Sequence, residues 1–112
     1  MIISPKYKFV FIANPKTGTA TVQHTLMQCI DDKEKIIGYK FPVDDKDLLN
    51  CKHVSCPQLQ NLHPEFNDYY KFAFVRNSWA QVLSWYFFCK SSKDPSRNTT
   101  NISFHQFLID KE

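Results

Sequence analysis

Two short apolar runs constrain the fold of this chain most. Each is followed by a polar loop and then by apolar residues at helical spacing. The first run is YKFVFIA at residues 7–13, and the second is YYKFAFV at residues 69–75. Nearly continuous runs of Phe, Val and Ile of this length predict strands buried on both faces, as in a parallel sheet covered by helices. The chain is therefore expected to contain two strand–loop–helix units.

The remaining pattern extends this alternation of strands and helices. Helices are predicted over residues 20–30, 56–62, 79–89 and 102–109, a second short strand over 36–41, and a helical turn over 44–49. Strands that alternate with helices favour an α/β fold with a mostly parallel sheet flanked by helices. At 112 residues, the chain is expected to form one domain spanning residues 1–112.

The loop after the first predicted strand reads PKTGTAT. Lys16 supplies a positive charge, and Gly18 allows the backbone to approach a ligand closely. Thr17, Thr19 and Thr21 supply hydroxyl groups, and the helix that follows directs its free N–H groups to the same place. These features predict a site for a phosphate or a sulfate.

The order of residues in this loop disfavours a nucleoside triphosphate as the ligand. Triphosphate loops follow the pattern GxxxxGK[ST], with the Lys after the second Gly. Here Lys16 precedes Gly18, and no Gly lies upstream. A small-molecule kinase of related fold stays an alternative, but it would need such a loop and carboxylates for Mg²⁺, and no acidic residue directly follows a predicted strand.

A second polar loop follows the second apolar run. Arg76 comes directly after the predicted strand, where a guanidinium can bind a phosphate through two hydrogen bonds. Ser84 follows eight residues later, a little over two helical turns, and is either turned toward the loop or bonded to its own helix backbone. Because ligands of α/β sheets bind at the carboxyl ends of strands, the two loops predict a ligand with two separate anionic groups.

These two motifs together resemble a known family. PKTGTAT is similar to the 5′-phosphosulfate loop, and FAFVRNSWAQVLSWYFF to the 3′-phosphate motif, of sulfotransferases that use 3′-phosphoadenosine 5′-phosphosulfate. The similarity is greatest to the carbohydrate-type branch and covers roughly residues 8–110. It implies a P-loop-like fold, transfer of a sulfuryl group to an acceptor hydroxyl or amine, and no metal.

The resemblance also implies roles for individual residues. It assigns the 5′-phosphosulfate to Lys16, Thr17, Gly18, Thr19 and Thr21, with Lys16 also catalytic, and the 3′-phosphate to Arg76 and Ser84. The segment CKHVSCPQL looks like the one that supplies the catalytic base, which makes His53 the candidate; a surface or capping role is the alternative. His24 and His63 are expected to be structural.

The chain departs from the family at several positions. Ser78, Trp79, Ala80 and Gln81 stand where a Pro followed by an acidic and a basic residue is usual, and Ala20 replaces a common hydroxyl residue. Relatives also run on well past residue 112, so the domain is expected to be incomplete at its C-terminus. A catalytically incomplete nucleotide-binding or interaction domain is therefore the alternative function.

Composition limits the partners and the compartment. The net charge of +3 suits an anionic ligand but is too small and dispersed to predict nucleic acid binding. Scattered cysteines without CxxC spacing predict free thiols rather than a zinc site, although Cys51, His53 and Cys56 lie close together in sequence. The expected acceptor is a carbohydrate or another small molecule. The expected location is the cytoplasm, although eukaryotic relatives are Golgi-anchored.

Overall fold

The computed structural model describes residues 1–40, 45–94, 97, 99 and 101–109. Residues 41–44, which include the end of the predicted second strand and the start of the predicted helical turn, lie outside the described residues. So do residues 95, 96, 98 and 100 of the polar segment before the last helix, and residues 110–112 at the end of the predicted domain.

The described residues form a small α/β protein. Its elements are β1 (Ile2–Ser4), β2 (Phe9–Ile12), α1 (Thr19–Cys29), β3 (Ile36–Ile37), a 3₁₀ segment (Asp45–Asn50), α2 (Cys56–Leu62), a 3₁₀ turn (Pro64–Phe66), β4 (Tyr70–Ala73), α3 (Ser78–Lys90) and α4 (Phe104–Ile109). Each predicted helix begins within two residues of the first residue of an observed helix, and each apolar run contains a strand. The prediction of an α/β protein is confirmed.

The sheet is mixed, with the strand order β3–β1–β2–β4. Only β2 and β4 pair in parallel, whereas β1 pairs antiparallel with both β2 and β3. The prediction of a mostly parallel sheet is therefore wrong. The reason is β1, a strand of three residues that the apolar pattern did not single out. A short turn over Pro5–Lys8 connects it to β2, and a connection of this length can form only an antiparallel hairpin.

Both faces of the central strands β1 and β2 are covered. One face carries Ile2, Phe11 and Ala13, against which Val22, Leu26 and Met27 of α1 pack. The opposite face belongs to a second cluster, with members Ile3, Val10, Ile12, Leu48, Val54, Leu59 and Phe66. Because successive side chains of a strand point to opposite faces, the alternation along β2 supplies both clusters and confirms the prediction of a strand buried on both sides.

The chain divides into two compact units, Met1–Val75 and Arg76–Glu112. The first holds the sheet, α1 and α2. In the second, Tyr86 and Cys89 of α3 pack with Phe107 of α4, and the Tyr86 hydroxyl donates to the Ile102 carbonyl at 3.0 Å. Within the described part of the chain, no helix has the length and apolar character needed to cross a membrane.

Candidate functional site

The loop between β2 and α1 has an unusual backbone conformation. Lys16 has a φ of 61° and Gly18 a φ of 80°, so two residues separated by one are left-handed. Gly adopts this conformation freely, but for an L residue such as Lys it costs about 1–2 kcal/mol. Left-handed residues in tight loops turn successive backbone N–H groups to one side, which is the geometry of backbone anion sites.

The loop leads directly into the N-terminus of α1. Gly18 is the N-cap and offers no side chain to the first turn, and the first turn contains no acidic residue. The first helical hydrogen bond runs from the Val22 N–H to the Gly18 carbonyl at 3.2 Å. The N–H groups of Thr19 to Thr21 therefore have no partner within the helix, and the positive end of the helix dipole stays uncompensated by side chains.

The three hydroxyl groups predicted to contact the ligand have different surroundings. The Thr17 hydroxyl donates to the Asn14 carbonyl at 3.0 Å, so its proton closes the loop. Thr19 is buried at the start of α1, and Thr21 is exposed two residues further on. Thr17 can thus offer a ligand only its oxygen lone pairs, while Thr21 has its side chain in solvent.

Asn14 attaches the start of the loop to the neighbouring strand. The parallel ladder of β2 and β4 ends with Ile12 opposite Ala73, and the Asn14 side-chain amide donates to the Phe74 carbonyl at 3.1 Å. The side chain therefore continues the strand pairing beyond the last ladder residue. In the sequence, Asn14 carries only the turn signal of an Asn between an apolar run and a Pro, which does not predict this contact.

His53 contacts the carboxyl end of β2. Its Nδ1 forms a short hydrogen bond with the Ala13 carbonyl, and the side chain is half-buried. Because a carbonyl only accepts, we infer that Nδ1 carries the proton, and Nε2 is then the basic nitrogen of the neutral ring. Ala13 directly precedes the loop, so the structure brings His53 to the same end of β2 as Lys16.

The surroundings of His53 favour its neutral form. Burial lowers the pKa of His53 below its ordinary value of 6.5, and the positive charges of Lys52 and of the Met1 amine act in the same direction. The hydrogen bond to Ala13 opposes this shift without cancelling it. At neutral pH the ring is therefore uncharged, which is the state that a general base requires.

Met1 supports the segment that carries His53. The residue is fully buried, and its amine donates to the Lys52 carbonyl at 2.8 Å. The Met1 carbonyl accepts from Gly38 at 3.0 Å and from the Gln23 side chain at 3.2 Å. Burial lowers the pKa of the Met1 amine to about 5. The sequence carried no signal for this role.

Arg76 and Ser84 lie in the second unit. Arg76 is exposed and precedes Asn77, whose side-chain oxygen accepts from the Ala80 N–H at 3.2 Å and caps α3. Ser84 is half-buried, six residues after the first residue of α3. Their use together with the first loop in binding one nucleotide stays a prediction.

The other histidines and the cysteines are placed as follows. His24 lies on the exposed side of α1, 3.1 Å from the Gln28 amide, and His63 lies at the end of α2, 2.9 Å from a Glu65 oxygen. The four cysteines are thiols rather than members of disulfides, including Cys51 and Cys56 on either side of His53. Among the residues that the model describes, no group of three His, Cys, Asp or Glu is arranged to hold a metal ion.

Comparison with known proteins adds no relative: no family model, curated protein or solved structure matches the chain. The functional assignment therefore depends on the residues and on their geometry.

Proposed function

We propose that this chain is a sulfotransferase that moves a sulfuryl group from 3′-phosphoadenosine 5′-phosphosulfate to a hydroxyl or amine of an acceptor, with a carbohydrate as the expected acceptor. In that reaction the sulfur–oxygen bond to the 5′-phosphate breaks, and a new bond forms between sulfur and the acceptor atom. The acceptor loses a proton, and the nucleotide leaves as 3′-phosphoadenosine 5′-phosphate. The protein must bind two anionic groups and take up one proton.

The observation that carries the proposal is the conformation of the Pro15–Gly18 loop. A left-handed Lys16 and a left-handed Gly18 precede an uncapped helix N-terminus, and this combination of backbone N–H groups, dipole and cation favours an anion. In the proposed reaction, Lys16 and the N–H groups bind the phosphosulfate and stabilise the charge that develops on the leaving phosphate. The Thr21 hydroxyl is a further donor in this proposal, whereas the Thr17 hydroxyl donates to the Asn14 carbonyl and closes the loop.

His53 supplies the base in this proposal. Its Nδ1 bonds to the Ala13 carbonyl, and its ring is neutral at physiological pH, so Nε2 is the basic nitrogen that would take the acceptor proton. The positive charges that act on His53, those of Lys52 and the Met1 amine, also favour the neutral ring. The resemblance to sulfotransferases and the geometry of the ring point to the same residue.

The second anionic group of the nucleotide is assigned to Arg76 and Ser84, from the sequence motif. This assignment can be tested with ligands alone. An Arg76→Ala variant is expected to bind 3′-phosphoadenosine 5′-phosphate at least about tenfold more weakly than the wild type, because a charge-assisted hydrogen bond contributes about 1.5–3 kcal/mol. Adenosine 5′-phosphate lacks the 3′-phosphate, and its affinity should not change. An equal loss for both nucleotides would contradict the assignment.

Sulfuryl transfer itself is tested with a labelled donor and a panel of oligosaccharides and small alcohols. The decisive comparison is Lys16→Ala with Lys8→Ala, because both lysines have a positive φ, and Lys8 lies in the turn between β1 and β2, in an ion pair with Asp68 at 3.9 Å. We expect Lys16→Ala to lower the transfer rate about 10²–10³-fold, the usual effect of losing one transition-state donor. Lys8→Ala should retain the wild-type rate.

Three results would separate the alternatives. Full activity of Lys16→Ala would contradict the proposed role of the loop. Nucleotide binding by the wild type without transfer to any acceptor would favour a nucleotide-binding domain that lacks catalysis. Transfer of phosphate from ATP in the presence of Mg²⁺ would favour the small-molecule kinase.

A further inference from the structure

Three side-chain hydrogen bonds meet at the adjacent residues Ala13 and Asn14. The His53 ring bonds to the Ala13 carbonyl, the Thr17 hydroxyl donates to the Asn14 carbonyl at 3.0 Å, and the Asn14 amide donates to the Phe74 carbonyl at 3.1 Å. The first bond involves the proposed base, the second closes the anion loop, and the third joins both to the end of β4. Ala13 is 1% exposed, so solvent has almost no access to this residue.

Peptide planarity couples these bonds. The carbonyl of Ala13 and the Cα of Asn14 belong to one planar group that resists rotation about its C–N bond. A displacement of the Asn14 Cα therefore tilts the peptide plane that contains the Ala13 carbonyl, which is the acceptor for His53. The Asn14 Cα is in turn held by its side-chain contact with Phe74 and by the contact of its own carbonyl with Thr17.

We infer that Asn14 is a positioning residue for His53. Its amide fixes the direction of the Ala13 carbonyl, which keeps the proton of the neutral imidazole on Nδ1 and leaves Nε2 as the basic nitrogen. Asn14 thus sets the orientation of the base through the peptide unit that precedes it, and the start of the Lys16 loop through the one that follows it. The consequence for catalysis rests on the proposed function, whereas the effect on the imidazole does not.

The direct test is the tautomer of His53, measured from the ring ¹⁵N chemical shifts of the full chain at a pH where the ring is neutral. The wild type is expected to show the Nδ1–H form. Asn14→Leu removes the side-chain amide donor and keeps a side chain of similar volume. Asn14→Ala removes the same donor with less risk of a steric clash. Either folded variant is expected to show a mixture of both tautomers, because the Ala13 carbonyl is no longer held in one direction.

Lys71→Met is the matched control. The Lys71 ammonium donates to the carbonyls of Phe66 and Asn67 at 2.9 Å each and to that of Tyr69 at 3.0 Å, near the start of β4 rather than its end. Loss of the Lys71 ammonium removes hydrogen bonds between a side chain and the backbone at the same strand. The Ala13–Asn14 peptide unit is not changed by this substitution. The control should keep the Nδ1–H tautomer even if its stability falls.

The kinetic counterpart is a change in kcat with little change in the KM for the nucleotide. A general base contributes about 10²–10⁴-fold, and partial loss of its correct tautomer should lower kcat roughly tenfold. An Asn14→Ala variant that retains the pure Nδ1–H form would overturn the inference, and so would an equal shift in Lys71→Met. If the wild type transfers no sulfuryl group, the proposed function fails, but the comparison of tautomers still decides the role of Asn14.

Discussion

Lys16 and His53 are the residues in which local structure and proposed chemistry meet. The left-handed conformation of Lys16 costs stability, and such strain is retained when the surrounding structure imposes it, often at a ligand site. In His53, burial of the titratable ring favours the neutral form over the charged one. The proposed reaction needs the strained backbone of Lys16, and it needs the neutral form of His53 that burial favours.

The depressed pKa of His53 predicts how stability depends on pH. The unfolded chain protonates this histidine near pH 6.5, whereas the folded chain does so only at lower pH. The unfolded state therefore binds more protons between these two values, and the contribution of His53 to stability is complete above pH 6.5 and falls as the pH drops through this window. Urea unfolding of the wild type at a series of pH values measures the effect.

His53→Gln provides the matched control for this measurement. A Gln amide can still donate to the Ala13 carbonyl but does not titrate. The Met1 amine, with a pKa of about 5, titrates in both proteins, and the carboxylates of Asp32, Asp47 and Glu65, whose pKa values are lowered, titrate below the window. The stability of the wild type relative to this variant should fall below pH 6.5. A relative gain would show that the folded-state pKa is raised instead.

At the scale of elements, β1 decides the architecture of the sheet. It occupies a central position between β2 and β3, although it contains only three residues. The backbone at Gly38 lies beside the start of β1. The Gly38 N–H donates to the Met1 carbonyl, and the Tyr39 N–H donates to the Asn50 carbonyl at 2.8 Å. The backbone of residues 38–39 therefore crosses that of residues 50–51 at close range.

This crossing predicts an unusually high cost for Gly38→Ala. A Cβ at this position would overlap the Cys51 carbonyl oxygen and come within 2.7 Å of its carbon, both backbone atoms that cannot move aside as a side chain would. We expect a loss of about 3 kcal/mol in the free energy of unfolding. Gly18→Ala has open space around its Cβ but a φ of 80°, so it should cost only about 1 kcal/mol. Urea unfolding compares the two, and an equal cost would contradict the close crossing.

The sequence predicts elements with strong periodicity well and short ones poorly. The positions of the two apolar runs and of helices α1, α2 and α3 follow from residue pattern. Burial follows less well, because β2 is largely buried as predicted, whereas β4 contains no buried residue. β1 was missed because three residues carry no recognisable period, and its position in the sheet depends on pairing with distant residues. Without β1, the parallel pair of β2 and β4 was extended incorrectly to the whole sheet.

The residues of the candidate site also divide into those that the sequence predicts and those that it does not. Lys16 and Gly18 were recognisable because a loop between a buried strand and a helix has a known chemical use. The contacts of Asn14 with Phe74 and of Met1 with Lys52 join residues that are 60 and 51 positions apart in sequence. Local pattern cannot reveal such contacts, because they depend on which strands become neighbours.

At the scale of the whole molecule, the protein presents a modest positive charge and two compact units. The charge of +3 suits a nucleotide with several negative charges, which would be drawn toward the chain but held by specific groups. Exposed apolar side chains on α3, among them Trp79 at 76% and Phe87 at 57% exposure, show that its surface is not uniformly polar. The central claim concerns the first unit, where the loop and His53 lie.

Calorimetric titration of 3′-phosphoadenosine 5′-phosphate into the full chain tests that claim most directly. The account predicts binding by the wild type, affinity at least about tenfold weaker for Lys16→Ala because a charge-assisted contact is lost, and unchanged affinity for Lys8→Ala. Failure of the wild type to bind the nucleotide would contradict it. So would a Lys16→Ala variant that binds as tightly as the wild type.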